Sequence, residues 1–467
     1  MGFDLIEPMI ALNDAHLSLN HLKTGSPRTL SDALQAAKKL ISKRTGIIST
    51  VEFDNLASSE PSLFFARSTP ANTFVLNDMK AMNHGAAASI DPKRAIMKAV
   101  GESIERYCPA HFRYEDFVLS TYNDLDCEAI HPEDFSLFSE KQYAEPGFPF
   151  SRPTASTPLR WVSAYSISHD QPVMIPASFV YIPYYFDSLH EPLTHNPIST
   201  GLACGSNLAP AIYKGILEVI ERDAFMIMWQ NQLPCSRIDL STVNNPFIQS
   251  MLNELEVLPV ECQAYLIPSD IEVPVILVLL RNTSGHLPHT VMGISVDLDP
   301  QKALMLALEE VSLSWVGMGR YSQIENDYKS AKDYKNVTDL NLHGLAHAVD
   351  PDLGKSLEFL NSSGKQISLQ DIKNVYDENM VHNIQTLVDK LGEKDLNVVV
   401  KDLTTVDVDE VGFKVIRVVV PGMQPLDVNH ARRHLGGSRL YQVPCQMGPK
   451  SQPLAEEDLN PYPHMFP

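Results

Sequence analysis

Three stretches of the chain repeat one pattern: an Asp or Asn, an alanine four residues on, an alanine or glycine four further, and a glutamate three beyond that. The copies are Asp91-Ala95-Ala99-Glu102, Asn207-Ala211-Gly215-Glu218 and Asp299-Ala303-Ala307-Glu310. Asp and Asn cap helices well because their side-chain oxygens accept from the orphan amides of a first turn, and Pro92 and Pro300 stand just inside the start, where proline is tolerated. Each copy therefore opens a helix. Small residues four apart let that helix approach a neighbour closely, and the glutamate falls on the same side one turn later.

In the first two copies a second glutamate and an arginine follow, giving Glu102-x-x-Glu105-Arg106 and Glu218-x-x-Glu221-Arg222, a carboxylate pair at i, i+3. The surrounding residues at 95–107 and 211–222 are largely apolar, which predicts that much of each helix is buried. Buried carboxylates need cations, and divalent ions with an oxygen preference fit best. Mg²⁺ held by glutamates and nucleotide phosphates is the leading candidate. One such string alone reads more readily as a solvated helix face with an i, i+4 ion pair; three copies with matching caps argue against that.

The stretches Gly-Glu-Ser-Ile-Glu-Arg-Tyr-Cys (101–108), Ser-Thr-Gly-Leu-Ala-Cys-Gly (199–205), Leu-Glu-Val-Ile-Glu-Arg-Asp-Ala-Phe (217–225) and Arg-Ile-Asp-Leu (237–240) resemble the YcaO family. Val-Pro-Gly-Met-Gln-Pro-Leu (420–426), Leu-Gly-Gly-Ser-Arg-Leu (435–440) and Asn-Pro-Tyr-Pro-His-Met-Phe-Pro (460–467) resemble its azoline-forming branch, the cyclodehydratase D proteins of thiazole/oxazole-modified peptide pathways. The resemblance implies an ATP- and Mg²⁺-dependent enzyme that cyclises Cys, Ser or Thr side chains of a ribosomal precursor peptide onto the preceding amide. In that chemistry the side chain attacks the amide carbonyl, the resulting oxyanion takes the γ-phosphoryl of ATP, and phosphate leaves to give a thiazoline or oxazoline. Phosphoryl transfer asks for metal, charge stabilisation and positioning more than for a protein nucleophile, and no Gly-rich loop ending in Lys-Ser/Thr occurs here.

Carried over residue by residue, Glu102, Glu105, Glu218 and Glu221 match the family's metal-binding glutamates. Arg106, Arg222, Ser199 and Glu310 become the candidate nucleotide contacts. The chain also departs from the family pattern. Ala87-Ala88-Ser89 stands where Gly-Lys-Gly is common, Gly205-Ser206-Asn207-Leu208-Ala209-Pro210 replaces a Gly-Asn followed by glutamate, and Leu313 and Trp315 occupy positions where glutamine and arginine are frequent. These departures bear on nucleotide binding. They leave open a noncatalytic scaffold subunit, and thioamide or amidine formation is the alternative within the family.

Pro461, Pro463 and Pro467 make the segment 458–467 non-helical, extended and stiff. The resemblance implies that this tail reaches the active site, which makes Pro467 and His464 its candidate catalytic residues. His464 is the group there that titrates near neutral pH. Met465 stands where proline is frequent.

The expected architecture is α+β, a mixed α/β arrangement with helices packed on mixed sheets and internal quasi-repeats around a nucleotide site. Residues 1–40 read as an N-terminal extension and 41–467 as one catalytic unit, within which 325–395 is more polar and reads as an insertion or a partner-facing lobe. A short helix is expected over 33–44, a turn into a first strand at 45–48, an exposed loop over 143–160, buried strands at 275–280 and 415–420, and a helix over 383–391. A formal net charge of −20 disfavours nucleic acid and anionic membranes. No apolar run is long enough to span a bilayer and no signal-peptide layout opens the chain, so the expected place is the cytoplasm. Six cysteines with no C-x-x-C pair indicate neither a zinc ribbon nor a disulfide framework. The expected partners are the precursor peptide, a separate leader-binding E1-like protein, since no such segment is visible here, a flavin-dependent dehydrogenase, and a second copy in a homodimer.

Overall fold

The computed structural model describes residues 14–22, 28–57, 60–74, 84–324, 328–331 and 333–466. Three sheets organise it. The first joins β1 (Ile48–Phe53), β2 (Phe64–Pro70) and β3 (Gly85–Ser89) in that order. The second runs β4 (Val118–Ser120), β5 (Leu159–Ser166), β13 (Val399–Asp402), β14 (Lys414–Val419), β7 (Leu202–Gly205), with β6 (Gln171–Pro176) also paired to β5. The third runs β11 (Thr290–Val296), β10 (Val275–Asn282), β9 (Val260–Leu266), β8 (Ser236–Ile238), β12 (Gln366–Ile367). The helices that matter here are α1 (Leu30–Lys38), α2 (Pro92–Tyr107), α3 (Leu208–Asn231), α4 (Pro246–Glu256), α5 (Pro300–Ile324), α6 (Leu340–Val349), α7 (Met380–Gly392) and α8 (Ser438–Gln446). The mixed α+β expectation holds.

The three repeats are α2, α3 and α5, and their caps form as the sequence dictates. Asp91 accepts from Lys93 N, Asn207 from Ala209 N and Asp299 from Gln301 N. Each helix follows an edge strand of a different sheet, β3, β7 and β11 respectively. Each also packs against the strand of the next unit, α2 on β7, α3 on β11 and α5 on β3. Polar contacts pin every joint. Glu105 on α2 accepts from Cys204 N at 3.2 Å. Tyr213 on α3 donates to Asp297 at 3.1 Å, and Ser89 donates to Glu309 of α5 at 2.6 Å. Three β–α units thus close a ring.

That closeness needs glycine. Gly85, Gly201 and Gly293 each stand six residues before an N-cap, an upstream extension of the repeat that the pattern beginning at Asx does not include. A Cβ on Gly85 would lie 2.2 Å from the Ala99 carbonyl oxygen, and one on Gly293 would lie 2.2 Å from Val311 N and 2.5 Å from Ala307 O. Gly201 has φ +87° and would meet Val418 O at 2.1 Å.

The main core surrounds α3, whose buried Phe225, Met226 and Trp229 pack with Ile384 and Leu387 of α7 and with Met465 and Phe466 of the tail. A second apolar cluster lies between the third sheet and α4 and α5, and a third joins α1 and α2 to the six-stranded sheet. Most expected elements appear with shifted ends. The first helix starts and stops earlier than 33–44, because Thr29 caps it and residues 40–42 instead pair with Ile48. The loop over 143–158 is not wholly exposed, since Phe150 is buried against Phe138. The described part of 325–395 packs inward through β12, α6 and α7. Leu17 of the N-terminal stretch is buried in the main core, while residues 1–13 lie outside the described residues.

One ion pair knits the motifs together. Arg439 of α8 bonds both oxygens of Asp223, at 3.0 and 2.7 Å, and also reaches Asp270 at 2.7 Å, while Asp223 accepts from Gln424 N. Asp223 and Arg439 are both buried, so removing Arg439 strands the Asp223 charge, whereas removing Asp223 leaves Arg439 to Asp270.

Replacing Gly293 by alanine forces its contacts with α5 apart and is expected to cost about 1–3 kcal/mol of stability. The same change at Gly317, also in α5 but with nothing within 4 Å, is expected to be neutral or stabilising by up to about 1 kcal/mol. Chemical denaturation of the two variants beside the parent tests this, and equal midpoints for both would refute the close-approach argument.

Candidate active site

The repeat glutamates take equivalent places. Each reaches back to an amide at the strand preceding its own helix: Glu102 Oε2 accepts from Ala86 N at 2.8 Å, Glu218 Oε2 from Gly201 N at 3.2 Å and Glu310 Oε2 from Ile294 N at 3.2 Å. Glu310 is therefore the geometric counterpart of Glu102 and Glu218. Of the second glutamates, Glu105 crosses to β7 and Glu221 is buried, 7% exposed. The other four line the cluster half-buried.

The arginines differ. Arg106 pairs with Glu102 at 2.5 Å and donates to the His84 carbonyl. Arg222 lies 3.3 Å from Glu218 and 3.6 Å from Glu221, and its Nε and Nη1 are buried without a hydrogen-bond partner among the described residues. Its guanidinium carbon stands 3.6 Å over the Phe466 ring. Ser199 lies in the loop entering β7, two residues before the amide that Glu218 takes, and its carbonyl accepts from Leu202 N.

Electrostatics tie the five carboxyls into one unit. Burial pushes the pKa of Glu102 up, against the pull of Arg106. Burial, then repulsion from Glu218 and Glu102, raises Glu105 well above the ordinary value. Glu221 is raised well above it by burial and by Glu310 and Glu218, despite Arg222. Glu310 is raised by burial and by Glu218, with Arg222 and Lys98 opposing. A divalent cation would relieve this crowding of like charges. Among the described residues no three His, Cys, Asp or Glu side chains are placed together to hold a metal ion by themselves. That open donor set suits Mg²⁺, which uses one or two carboxylates and completes its shell with phosphate oxygens and water. Nε and Nη1 of Arg222, neither hydrogen-bonded among the described residues, suit a phosphate. The residues present fit Mg²⁺ and a nucleotide.

Ala88, Leu313 and Trp315, where the sequence departs from the resembled pattern, come together in one apolar cluster against the third sheet. The cations near them, Arg94 and Lys98, are paired to Glu309, at 3.8 and 3.0 Å. Cys204 is buried and its thiol is pushed well up by burial, so it is no thiolate nucleophile.

The tail is threaded and held by its carbonyls. Prolines 461 and 463 bring no N–H, but every residue keeps an acceptor. Arg433 donates to Asn460 O at 2.8 Å, His430 to Pro461 O at 3.0 Å, Trp229 to Tyr462 O at 3.1 Å, His347 to Pro463 O at 2.9 Å and His343 to His464 O at 3.3 Å. Because a carbonyl only accepts, each of these histidine nitrogens carries its proton. The clamp sets Phe466 on Arg222 at the edge of the carboxylate cluster. His464 has both nitrogens engaged: Nε2 donates to Asp427 O at 2.7 Å and Nδ1 accepts from Phe466 N at 3.1 Å. Burial pushes its pKa down to about 3. That arrangement anchors the tail and offers no free nitrogen for the proton transfer expected of His464. Pro467 lies outside the described residues. Of the clamp's donors, His343 and His347 stand four apart on α6 and His430 and Arg433 three apart, spacings that went unread, while Trp229 has no such mate; Asp223 and Arg439 lay inside recognised motifs, but their pairing did not.

Burial also lowers His347 and His430 to about 4 and His343 well below its ordinary value. A depressed histidine favours the docked tail fully above its free pKa near 6.5, and that contribution is lost as pH falls through 6.5 toward the docked values. Hydrogen exchange over 458–466, corrected for intrinsic rate and compared with β10, should accelerate between pH 7 and pH 5. Unchanged relative protection over that range would contradict the clamp.

Comparison with known proteins places the chain in a family and a fold. A family model described as YcaO cyclodehydratase, ATP- and Mg²⁺-binding, matches residues 86–424. A relative from Methanothermobacter thermautotrophicus, itself uncharacterised, is 26% identical over 344 residues, 73% of this chain and 81% of that protein. Among solved structures, a heterocyclase in complex with substrate and cofactor superposes with TM-score 0.77 at 22% identity, and the heterocyclase TruD with 0.67 at 23%, each over 95% of this chain. The chain spans 58% and 55% of the length of those two proteins. YcaO from Methanopyrus kandleri, bound with AMPPCP and Mg²⁺, superposes with TM-score 0.63 at 19% identity over 87% of this chain and 94% of its own. At these identities the superpositions show the fold.

Proposed function

The chain belongs to the YcaO family, whose members bind ATP and Mg²⁺, and from that premise we propose that it is a peptide cyclodehydratase, closing Cys, Ser or Thr side chains of a ribosomal precursor onto the preceding amide to give thiazolines or oxazolines. The observation that carries this reading is the ring of three β–α units, which brings Glu102, Glu105, Glu218, Glu221 and Glu310 into one field with the tail's Phe466 against Arg222. In it, Glu102, Glu105, Glu218 and Glu221 hold Mg²⁺, while Arg106, Arg222, Glu310 and Ser199 contact the nucleotide. When bound, Mg·ATP supplies the phosphoryl group that turns the amide oxygen into a leaving group. The chain's own share is positioning: strand amides hold the carboxylates in place, and Arg222, fixed by Phe466, stabilises phosphate charge.

The heterocyclase neighbours, one bound to substrate, and the McbBCD complex with pro-MccB17 support a peptide substrate and partner proteins for this chain too. A leader-binding E1-like partner, a flavin-dependent dehydrogenase, a homodimer and a cytoplasmic place belong to the same proposal. Among the described residues no helix is long and apolar enough to cross a membrane. The second reading is a scaffold subunit, favoured by the gathering of Ala88, Leu313 and Trp315 into one apolar cluster beside α5.

Phosphate release with Mg·ATP, cognate peptide and partner protein, followed beside peptide mass, decides between the two. Dehydration matched to phosphate release is expected, and Glu218→Gln or Glu221→Gln should lower it by about 100-fold or more by removing charge at the metal. Neither nucleotide binding nor turnover in the complete complex would make the scaffold the better description.

A further inference from the structure

Beside the carboxylate cluster lies an apolar cavity of about 90 Å³ that the phosphoryl chemistry does not use. Its walls include Phe135, Phe179, Val219 and Met423, and its polar lining includes Arg417 and Gln424. Val219 follows Glu218 on α3, and Glu218 and Glu105 are the charges that act on Arg417, so whatever fills the cavity lies next to the cluster. Arg417 donates Nε to Phe179 O and Nη2 to Ile198 O, yet its Nη1 is buried without a partner among the described residues. Gln424 donates to His434 O, and its Oε1 is likewise buried and unpartnered. Arg417 is 5% exposed and Gln424 1%. A buried cation donor and a buried amide acceptor left unmatched in one apolar pocket are costly unless something completes them.

One donor and one acceptor are what a peptide unit matches, with its C=O and its N–H. Charge excludes a basic occupant beside Arg417, and the apolar walls exclude an acidic side chain. Size narrows it further: about 90 Å³ falls below the ~150 Å³ cavity that accommodates benzene. The wall cannot easily widen, because Phe135 stacks on Phe179 at 3.7 Å and Phe179 on His195 at 4.0 Å. We propose that this cavity receives the side chain of one aliphatic residue of the peptide substrate, beside the residue that is cyclised, while that residue's carbonyl and N–H meet Arg417 and Gln424 at the cavity wall. The inference rests on the peptide-cyclodehydratase reading for its occupant, and it makes the cavity a specificity pocket.

Saturation-transfer NMR with N-acetyl-leucine N-methylamide tests it without turnover, with the tryptophan and aspartate analogues as comparators. The leucine probe is expected to bind, at least fivefold more strongly than the other two. Ile198→Trp, a half-buried loop residue lining the cavity, should abolish that signal and leave Mg·ATP binding unchanged; Thr200→Phe serves equally should the first variant fold poorly. Gln424→Met, which keeps the volume and removes the acceptor, should weaken the probe several-fold. No signal from the leucine probe, an equal signal in the filled variant, a preference for tryptophan or aspartate, or a crystal soaked with the probe showing ordered water alone would overturn the proposal. Loss of Mg·ATP binding in the parent with probe binding intact would instead strike the proposed function.

Discussion

The repulsion among five glutamates that lie within one another's electrostatic field is the constraint the rest of this molecule answers. Like charges held together in a partly dry place are unfavourable, and burial and mutual repulsion lift the carboxyls of Glu102, Glu105, Glu221 and Glu310. Four of the five carboxylates are therefore tied to the backbone. Ala86, Gly201 and Ile294 offer amides to the first glutamate of each copy, and Cys204 offers one to Glu105. A site so built is preorganised for a cation, because its repulsion is already in place before the cation arrives.

Bringing strand and helix that close explains the small residues. The alanines and glycines four apart on each helix, and Gly85, Gly201 and Gly293 on the strands, leave the backbones in contact and no room for side chains. The ring of units then lets each helix serve two strands, its own and its neighbour's. Ser89 and Glu309 make the closing joint, so that a residue of the first unit is held by the third across most of the chain. The Asp223–Arg439–Asp270 triad attaches α8 and the 424 loop to the same helix that carries Glu218 and Glu221. The face of α3 that carries the glutamates and the face that anchors α8 are thus set by neighbouring residues of one motif.

The tail solves a complementary problem. A proline-rich strand cannot pair through donors it lacks, so the protein supplies donors to its carbonyls from Arg433, His430, Trp229, His347 and His343. Histidine suits that task when buried and neutral, since one nitrogen donates while the other needs no anion. The same burial pushes the pKa of His464 down, and both of its ring nitrogens are taken up in holding the tail. What the tail delivers to the cluster is Phe466, seated on the guanidinium of Arg222.

By itself the sequence determined the three capped helices, their burial, the carboxylate pairs and the membership in a family of ATP- and Mg²⁺-binding proteins. Those features are local: an N-cap speaks to amides two or three residues on, and an i, i+3 pair follows from helix geometry alone. It also carried, unread, the glycine six residues ahead of each cap. The tertiary structure decided which amide each glutamate meets, that Glu310 matches Glu102 and Glu218, that Ala88, Leu313 and Trp315 share one apolar cluster, and that His343, His347 and His430 converge on the tail. The reason is range. Contacts such as Ser89 with Glu309, or Trp229 with Tyr462, join residues separated by 220 and 233 positions, and no period or cap in the chain encodes which distant backbone will arrive there.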